Sequence, residues 1–165
     1  MRYARIYLGK RTSDVAHGSK NAEGDRTRYI DLAQPSEVLF PRMEDSSGAL
    51  TVIHGQKEIP FAIARAYLIS DIAPGASRGA HAHRKLRQVI MAAAGSFTLT
   101  VSSGTHSHEF FLTESSKGVY IPRLFWRELT NFSHDAVCLV FTDRPYEESD
   151  YIRSFSEYLD EANNG

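Results

Sequence analysis

Short stretches in which apolar and polar residues alternate, separated by turn residues, dominate the chain after about residue 50. Phe97, Leu99 and Val101 alternate with hydroxyl residues, which predicts a strand with one wet face. Ser103 and Gly104 then turn the chain into a second strand over residues 105–112, and the two form a predicted hairpin. Further short strands are predicted over residues 87–92, 118–121, 127–132 and 136–142. Many short strands joined by turns indicate an all-β sandwich or barrel.

The segment from residue 61 to residue 70 also alternates, but both of its residue sets are mostly apolar. We therefore expect a strand that is covered on both faces. Arg65 and Tyr67 share one face with Ile63 and Ile69, so their polar groups need partners on that face.

Only the end of the chain has a helical pattern. Apolar residues recur there at three- and four-residue spacing, and acidic residues precede them, as the helix dipole favours. The apolar set consists of Tyr151, Ile152, Phe155, Tyr158 and Leu159. The sequence thus predicts a barrel domain over residues 41–165 that ends in a short helix. Residues 1–40 are predicted to be an N-terminal extension, with short strands around a polar, mobile arm at residues 10–28.

The composition of the 165-residue chain is that of one globular domain, with 42% hydrophobic and 24% charged residues. A net charge of −1 provides no general attraction for nucleic acid or a membrane surface, so local arginines and lysines must hold any anionic ligand. The single cysteine, Cys138, lies in an apolar run and is expected to be a buried hydrophobe. No apolar stretch is long enough for a signal peptide or a membrane span, which favours a cytoplasmic location.

The most informative segment runs from Gly75 to Gly95 and contains His81-Ala-His83. On a strand the two imidazoles project to the same face, about 6.6 Å apart along the chain. Inside a barrel that face is the lumen, which in a small barrel can hold one ligand. An isolated His-x-His pair is equally consistent with two surface histidines in a loop.

The spacing around the pair resembles the first cupin motif, which runs glycine, five residues, His-x-His, a glutamate and a closing glycine. Gly75, His81, His83 and Gly95 match it, whereas Gln88 stands where the glutamate belongs. In the second cupin motif, Arg127 stands in place of the histidine.

These two replacements bear on the cofactor. Two imidazoles alone rarely hold a catalytic metal, which normally has three protein ligands, and a guanidinium beside the site repels a cation. We therefore expect a site without a metal or any other cofactor, in which His81 and His83 are available for proton transfer. Basic side chains on or beside the predicted strands could bind phosphate or a developing oxyanion, although some are expected to be solvated surface charges. These are Arg65, Arg78, Lys85, Arg87 and Arg127.

With these residues in view, the chain from about residue 48 to residue 159 resembles the dTDP-sugar 3,4-ketoisomerases, which are cupin-fold enzymes. The resemblance rests on the His-x-His block and on a second block, Tyr146-Glu-Glu-Ser-Asp-Tyr-Ile-Arg153. It is supported by Ile59-Pro-Phe61 leading into Arg65 and Tyr67, by Gly118-Val-Tyr-Ile121, and by Trp126 and Glu128.

The resemblance implies an all-β cupin barrel (a jelly roll, or double-stranded β-helix) that isomerises a dTDP-linked keto-sugar. It also implies a homodimer that exchanges N-terminal strands. His81 and His83 would be the catalytic pair. The predicted substrate-binding residues are Arg65, Tyr67, Arg78, Lys85, Gln88, Trp126 and Arg127.

In the expected reaction an imidazole removes the proton on carbon 3, giving an enediol(ate), and reprotonation at carbon 4 leaves the carbonyl at carbon 3. The residues do not assign base and acid within the pair. Two alternatives remain: a sugar 3,5-epimerase, which needs a base and a distinct acid on opposite faces of the ring, and a non-catalytic module that binds a sugar nucleotide.

Overall fold

The structure, a computed structural model, describes residues 3–7 and 27–164 of the chain. The predicted polar arm lies outside the described residues, except for its last two residues. The strands are β1 (Tyr3–Tyr7), β2 (Thr27–Asp31), β3 (Ser36–Leu39), β4 (Arg42–Asp45), β5 (Gly48–Thr51), β6 (Arg65–Ile69), β7 (Arg78–His83), β8 (Gln88–Ala94), β9 (Phe97–Ser102), β10 (Ser107–Leu112), β11 (Lys117–Ile121), β12 (Trp126–Thr130), β13 (Val137–Thr142) and β14 (Tyr151–Ile152). A 3₁₀ turn (Glu148–Asp150) precedes β14, and a helix, α1 (Phe155–Asn164), ends the described chain.

Two five-stranded antiparallel sheets form the body of the fold. Their strand orders are β10-β9-β12-β7-β14 and β3-β11-β8-β13-β6, so strands distant in sequence are neighbours in space. The main apolar core draws on strands of both sheets, including Leu99 of β9, Ile90 of β8 and Val140 of β13. Cys138 lies in this core, and burial raises the pKa of its thiol to about 12. The arrangement confirms the predicted all-β cupin fold with a short C-terminal helix.

The outer faces of the two sheets are covered differently. Helix α1 packs on the first sheet, where Tyr158 joins Ala82 of β7 and Ile152 of β14. The second sheet is covered by the chain before β6, with Ile30 and Ile59 packed against Val89 and other outward residues of β8, β11 and β13. Strand β3 pairs with β11, so this sheet includes the last residues that the sequence assigned to the N-terminal extension.

Two predictions about local structure are wrong. The first is the helix start, because Tyr151 and Ile152 form a strand against β7 and α1 begins only at Phe155. The second is the prediction that residues 61–70 form a strand covered on both faces. Strand β6 starts at Arg65 at a sheet edge, and its outward Leu68 is 62% exposed because nothing in the described chain packs over it. Within residues 3–7 and 27–164, no helix is long and apolar enough to cross a membrane.

Candidate active site

The two histidines of β7 lie side by side between the sheets. Their ring centroids are 5.0 Å apart and the rings are nearly perpendicular, at 82°. His83 is 1% exposed, and the intervening Ala82 points outward into the cluster beneath α1. The strand alternation therefore places both imidazoles on the inner face, as the sequence predicted.

A β-bulge in β7 changes the face of the sheet on which the residues before the two histidines lie. His81 pairs with Arg127 and Gly79 pairs with Glu128, so Ala80 is the extra residue of β7. Gly79 and Ala80 have φ of 86° and 52°, and a Cβ at Gly79 would lie 2.8 Å from the carbonyl oxygen of Arg127. Glycine is thus required where β7 approaches β12 so closely.

Arg127 and Gln88 are hydrogen-bonded to each other behind the imidazoles. With the Gln88 amide oriented so that its oxygen faces the guanidinium, that oxygen accepts from Arg127 Nε at 2.7 Å and from Nη2 at 3.1 Å. Nη1 donates to the carbonyl oxygen of His81 at 3.1 Å. Burial lowers the pKa of Arg127 to about 10, so the guanidinium is still a cation at neutral pH. The side chains that replace the usual cupin ligands are therefore engaged with each other.

This donor set does not fit a metal ion. Among the described residues, no three His, Cys, Asp or Glu side chains are grouped so that they could hold one. A buried cation also occupies the position of the second motif's histidine, where it would repel a divalent ion.

Both imidazoles are neutral at physiological pH. Burial and, second, the Arg127 cation lower the pKa of His81 to about 4. The same two causes, in the same order, lower the pKa of His83 to about 2. A neutral imidazole keeps one nitrogen lone pair, so each ring can accept a proton. In His81 this is Nε2, because Nδ1 lies 2.9 Å from the carbonyl oxygen of Gly79, which only accepts.

Arg65 and Tyr67 project inward from β6, where Tyr67 packs against the main core. The Arg65 guanidinium lies over the Tyr67 ring at 4.9 Å and over the Tyr146 ring at 5.6 Å. Its Nε is buried, with no hydrogen-bond partner in the part of the chain that the structure describes. Burial raises the pKa of Tyr67 to about 12, which keeps its hydroxyl protonated. The partners of the Arg65 guanidinium are thus aromatic faces.

Strand β14 adds Tyr151, to which the sequence analysis assigned no role. Its ring centroid lies 4.2 Å from that of His83 and 5.0 Å from that of His81. The Arg153 guanidinium stacks on the Tyr151 ring at 4.5 Å and is hydrogen-bonded to Glu148 at 3.0 and 3.1 Å. An aromatic ring and a solvent-exposed ion pair therefore border the histidines on this side.

Asp150 is the second residue that the sequence analysis missed. Its Oδ2 lies 3.2 Å from His83 Nδ1, and the side chain is 5% exposed. The carboxylate also accepts the backbone N–H groups of Lys85 at 2.8 Å and Leu86 at 3.2 Å. The only sequence signal for Asp150 was its place in the second block of the resemblance, residues 146–153, where the spacing of apolar residues looked helical.

Not all predicted binding residues meet the imidazoles. Trp126 lies on the outer side of β12, with its ring 5.1 Å from Phe155 and 5.7 Å from Tyr158 of α1. Lys85 is exposed in the turn after β7. Arg78 is exposed too, but the bulge pairs it with the inward-facing Leu129. The structure therefore groups Arg65, Tyr67, Gln88 and Arg127 with the histidines, places Arg78 at the rim and separates Trp126 from them.

Comparison with known proteins identifies the family. Residues 35–163 match the family model described as "FdtA: WxcM-like, C-terminal". A curated relative from Aneurinibacillus thermoaerophilus, named TDP-4-oxo-6-deoxy-alpha-D-glucose-3,4-oxoisomerase, is 37% identical over 121 residues, which cover 73% of this chain and 87% of the relative.

Solved structures agree with this assignment. A sugar 3,4-ketoisomerase from Thermoanaerobacterium thermosaccharolyticum, solved with TDP, superposes with a TM-score of 0.77 at 36% identity, covering 79% of this chain and 95% of its own. A variant of that enzyme was solved with TDP-4-keto-6-deoxyglucose, with 35% identity, a TM-score of 0.77 and coverage of 79% and 94%. A 4-keto-6-deoxy sugar epimerase from Streptomyces spheroides shares only the fold, with 17% identity, a TM-score of 0.62 and coverage of 71% and 67%. The resemblance expected from the sequence is confirmed: the chain belongs to the WxcM-like FdtA family, together with these sugar 3,4-ketoisomerases.

Proposed function

We propose that the chain moves the carbonyl group of a dTDP-linked 4-keto-6-deoxyhexose from carbon 4 to carbon 3. The observation that carries the proposal is the pair of neutral imidazoles on the inner face of β7, with ring centroids 5.0 Å apart. The relatives solved with TDP and with a TDP-keto-sugar support the substrate class.

The reaction requires two proton shifts and no external oxidant. The C3–H bond breaks and its proton goes to an imidazole nitrogen, giving an enediolate across carbons 3 and 4. A C4–H bond then forms, while the hydroxyl proton on oxygen 3 moves to oxygen 4. One imidazole can carry the carbon-bound proton while the other handles the proton between the oxygens, so a pair of adjacent bases suits the reaction.

Charge that develops on the enediolate oxygens needs donors in a site with little water. The Tyr67 hydroxyl stays protonated and the buried Arg127 stays cationic, so both can stabilise such an oxyanion. Arg65 and Arg78 are the basic side chains that we assign to the diphosphate, because a guanidinium can bond two phosphate oxygens at once. Lys85, exposed in the turn after β7, remains a predicted contact at the rim of the site. Trp126 remains a prediction that the geometry does not favour, because its ring packs against α1 on the outer side of β12.

Incubation with dTDP-4-keto-6-deoxyglucose in D₂O, followed by NMR of the sugar, tests the proposal. We expect a 3-keto product that carries deuterium at carbon 4. Exchange at carbons 3 and 5 with the carbonyl still at carbon 4 would instead identify a 3,5-epimerase. A sugar that binds but neither exchanges nor rearranges would identify a non-catalytic binding module.

A further inference from the structure

The buried cation of the site is hydrogen-bonded to a neutral amide and not to a carboxylate. Gln88 is 2% exposed and Arg127 is 1% exposed. A guanidinium has only N–H donors, so the amide presents its oxygen, which accepts from Nε at 2.7 Å and from Nη2 at 3.1 Å. Fully buried arginines are normally paired with an anion, because an unpaired charge is costly in the interior. The side chain bonded to Arg127 therefore leaves its charge in place.

The two hydrogen bonds also join the two sheets. Gln88 begins β8, the central strand of the second sheet, where its neighbours Ile121 and Thr142 hold it from both sides. Arg127 lies on β12 of the first sheet, where it pairs with His81. Each backbone is fixed by its own sheet. The bonds between the side chains therefore hold the guanidinium against the strand that carries the histidines.

One carboxylate acts on Arg127 without neutralising it. Burial is the largest effect on the pKa of Arg127 and lowers it, whereas the Asp150 carboxylate is among the smaller effects that raise it. The hydrogen bonds described for the Asp150 carboxylate come from the backbone N–H groups of Lys85 and Leu86, and not from Arg127. The field of the cation consequently reaches both imidazoles, where it is the second cause of their lowered pKa values.

We infer that Gln88 is a positioning residue, which holds the Arg127 guanidinium in the wall of the site by two hydrogen bonds and leaves its charge uncompensated. This role rests on the proposed isomerase function, in which that charge stabilises the enediolate. A carboxylate at position 88, as in the first cupin motif, would hold the guanidinium equally well but would neutralise its field. The amide thus provides the geometry of an ion pair and preserves the field of the cation.

The test is Gln88→Glu, which keeps the shape of the side chain and both acceptor bonds but adds a negative charge. A residue that only satisfies buried donors would tolerate this change, because a carboxylate accepts the same N–H groups. A residue that preserves the charge of Arg127 would not. Two further variants separate the effects. Gln88→Met removes the acceptor without adding charge, and Gln34→Glu adds the same charge at an exposed position between β2 and β3.

The first readout is the pKa of His81, obtained by NMR titration of the ring protons without substrate and in the presence of EDTA. The chelator is needed because Gln88→Glu restores the carboxylate of the first cupin motif. The protein has seven histidines, and the spectrum of His81→Asn identifies the His81 signals by their loss. We expect the pKa to rise from about 4 in Gln88→Glu, but to stay below its ordinary value because burial is the larger cause of its shift. It should keep its wild-type value in Gln88→Met and in Gln34→Glu.

The second readout combines turnover of dTDP-4-keto-6-deoxyglucose with urea unfolding. Gln88→Glu should lose at least roughly tenfold in kcat, because a neutralised guanidinium stabilises the enediolate less. Gln88→Met should instead lower the urea midpoint below those of the wild type and Gln88→Glu, because two buried donors lose their acceptor. Gln34→Glu should match the wild type in both measurements.

The role of Gln88 is contradicted by an unchanged His81 pKa in Gln88→Glu, by an equal rise of that pKa in Gln88→Met, or by a wild-type kcat in Gln88→Glu. A Gln88→Glu protein that does not fold also contradicts it, since both hydrogen bonds should survive the change. The pKa comparison needs no substrate, so it still decides whether Gln88 preserves the charge if the wild type forms no 3-keto product. That last result counts against the proposed function alone.

Discussion

The guanidinium of Arg127 is fully buried beside the histidine pair and donates from Nη1 to the carbonyl oxygen of His81 over 3.1 Å. Its other edge is hydrogen-bonded to the neutral amide of Gln88. Within the described structure, the hydrogen-bond partners of this cation are thus neutral, and its field still reaches the two imidazoles. Arg127 therefore favours the proton-free state of both rings, in a site where burial already favours that state, and the same effect lowers their basicity.

The first prediction concerns the pH dependence of activity. Since the pKa of His81 is lowered to about 4 and that of His83 to about 2, neither ring is protonated when the pH falls through the ordinary histidine range near 6.5. We expect kcat/KM to stay level from pH 8 to about pH 5 and to decline only as His81 is protonated. Initial rates at constant ionic strength measure this, and an acid limb centred near pH 6.5 would contradict it.

The same shifts predict how stability depends on pH. Both pKa values are lower in the folded protein than in the unfolded chain, so below about pH 6.5 the unfolded state binds more protons. The contribution of the neutral rings to the free energy of unfolding is therefore complete above about pH 6.5. It is lost as the pH falls through the pKa values of the folded protein. Each ring contributes a slope of at most about 1.4 kcal/mol per pH unit. Urea unfolding at pH 7 and pH 5 measures the difference in the free energy of unfolding between the two pH values. This difference should be smaller in His83→Asn.

The second prediction tests the role of Arg127 through Arg127→Met, which roughly keeps the volume and removes the charge. The pKa of His81 should rise, but not to its ordinary value, because burial is the larger cause of its shift. NMR titration of the ring protons measures it. The loss of the bonds to Gln88 should also reduce the free energy of unfolding, by about 1–3 kcal/mol.

The control is Arg87→Met. The Arg87 guanidinium is bonded to Asp143 at the surface, and its side chain is 37% exposed. Removing this charge should leave the pKa of His81 unchanged. An equal change in both variants would mean that Arg127 acts only through the general charge of the protein.

The fold could be predicted largely because its signals are local. The β9–β10 hairpin follows from alternation on both sides of Ser103-Gly104, and the register of the pair is regular over all six positions. The inward direction of His81 and His83 follows from two-residue spacing on one strand. Such features depend on neighbouring residues, which a sequence displays directly.

The missed features depend on residues that are distant in sequence. Asp150 and His83 are in contact although 67 positions separate them, and no local pattern marks that approach. The bulge at Gly79 and Ala80 reverses which face Arg78 occupies, so alternation counted back from His81 fails there. Tyr151 looked helical because a two-residue strand is too short to show a period.

The third prediction concerns the imidazoles themselves. His81→Asn and His83→Asn should each keep the fold and lose at least roughly a hundredfold in turnover, the usual contribution of a general acid–base group. Circular dichroism checks the fold, and single-turnover rates check the chemistry. A variant that works at nearly the wild-type rate would show that its histidine only lines the site.

The fourth prediction is that the protein is a homodimer, because both sheets have open edges that a second subunit can protect. Strand β6 is one such edge, and its outward Leu68 is 62% exposed. Light scattering should give twice the chain mass of 18.5 kDa. Leu68→Glu should shift the population toward the monomer if this edge is the interface, and a monomeric wild type would contradict the prediction.

The last prediction concerns Arg78, the first residue of β7. The bulge pairs it with inward-facing Leu129, and its guanidinium is exposed without an ion-pair partner among the described residues. We expect it to bind the diphosphate at the rim. Arg78→Lys keeps the charge but loses the planar pair of donors, so dTDP binding should weaken several-fold, and Arg78→Ala should weaken it by about tenfold or more.

Calorimetry with dTDP separates this role from catalysis, because the nucleotide lacks the reacting sugar. Lys117→Ala is the control. Lys117 is an exposed cation at the first position of β11. The other end of this strand, Ile121, pairs with Gln88 of the site, so Lys117 lies at the end of β11 that is farther from the site. If dTDP binding is unchanged in both Arg78 variants while kcat falls, the guanidinium faces the enediolate and not the phosphate. If neither dTDP binding nor kcat changes, Arg78 is a solvated surface charge. The protein has no general positive field, so removal of a group that holds the dianionic diphosphate must weaken binding.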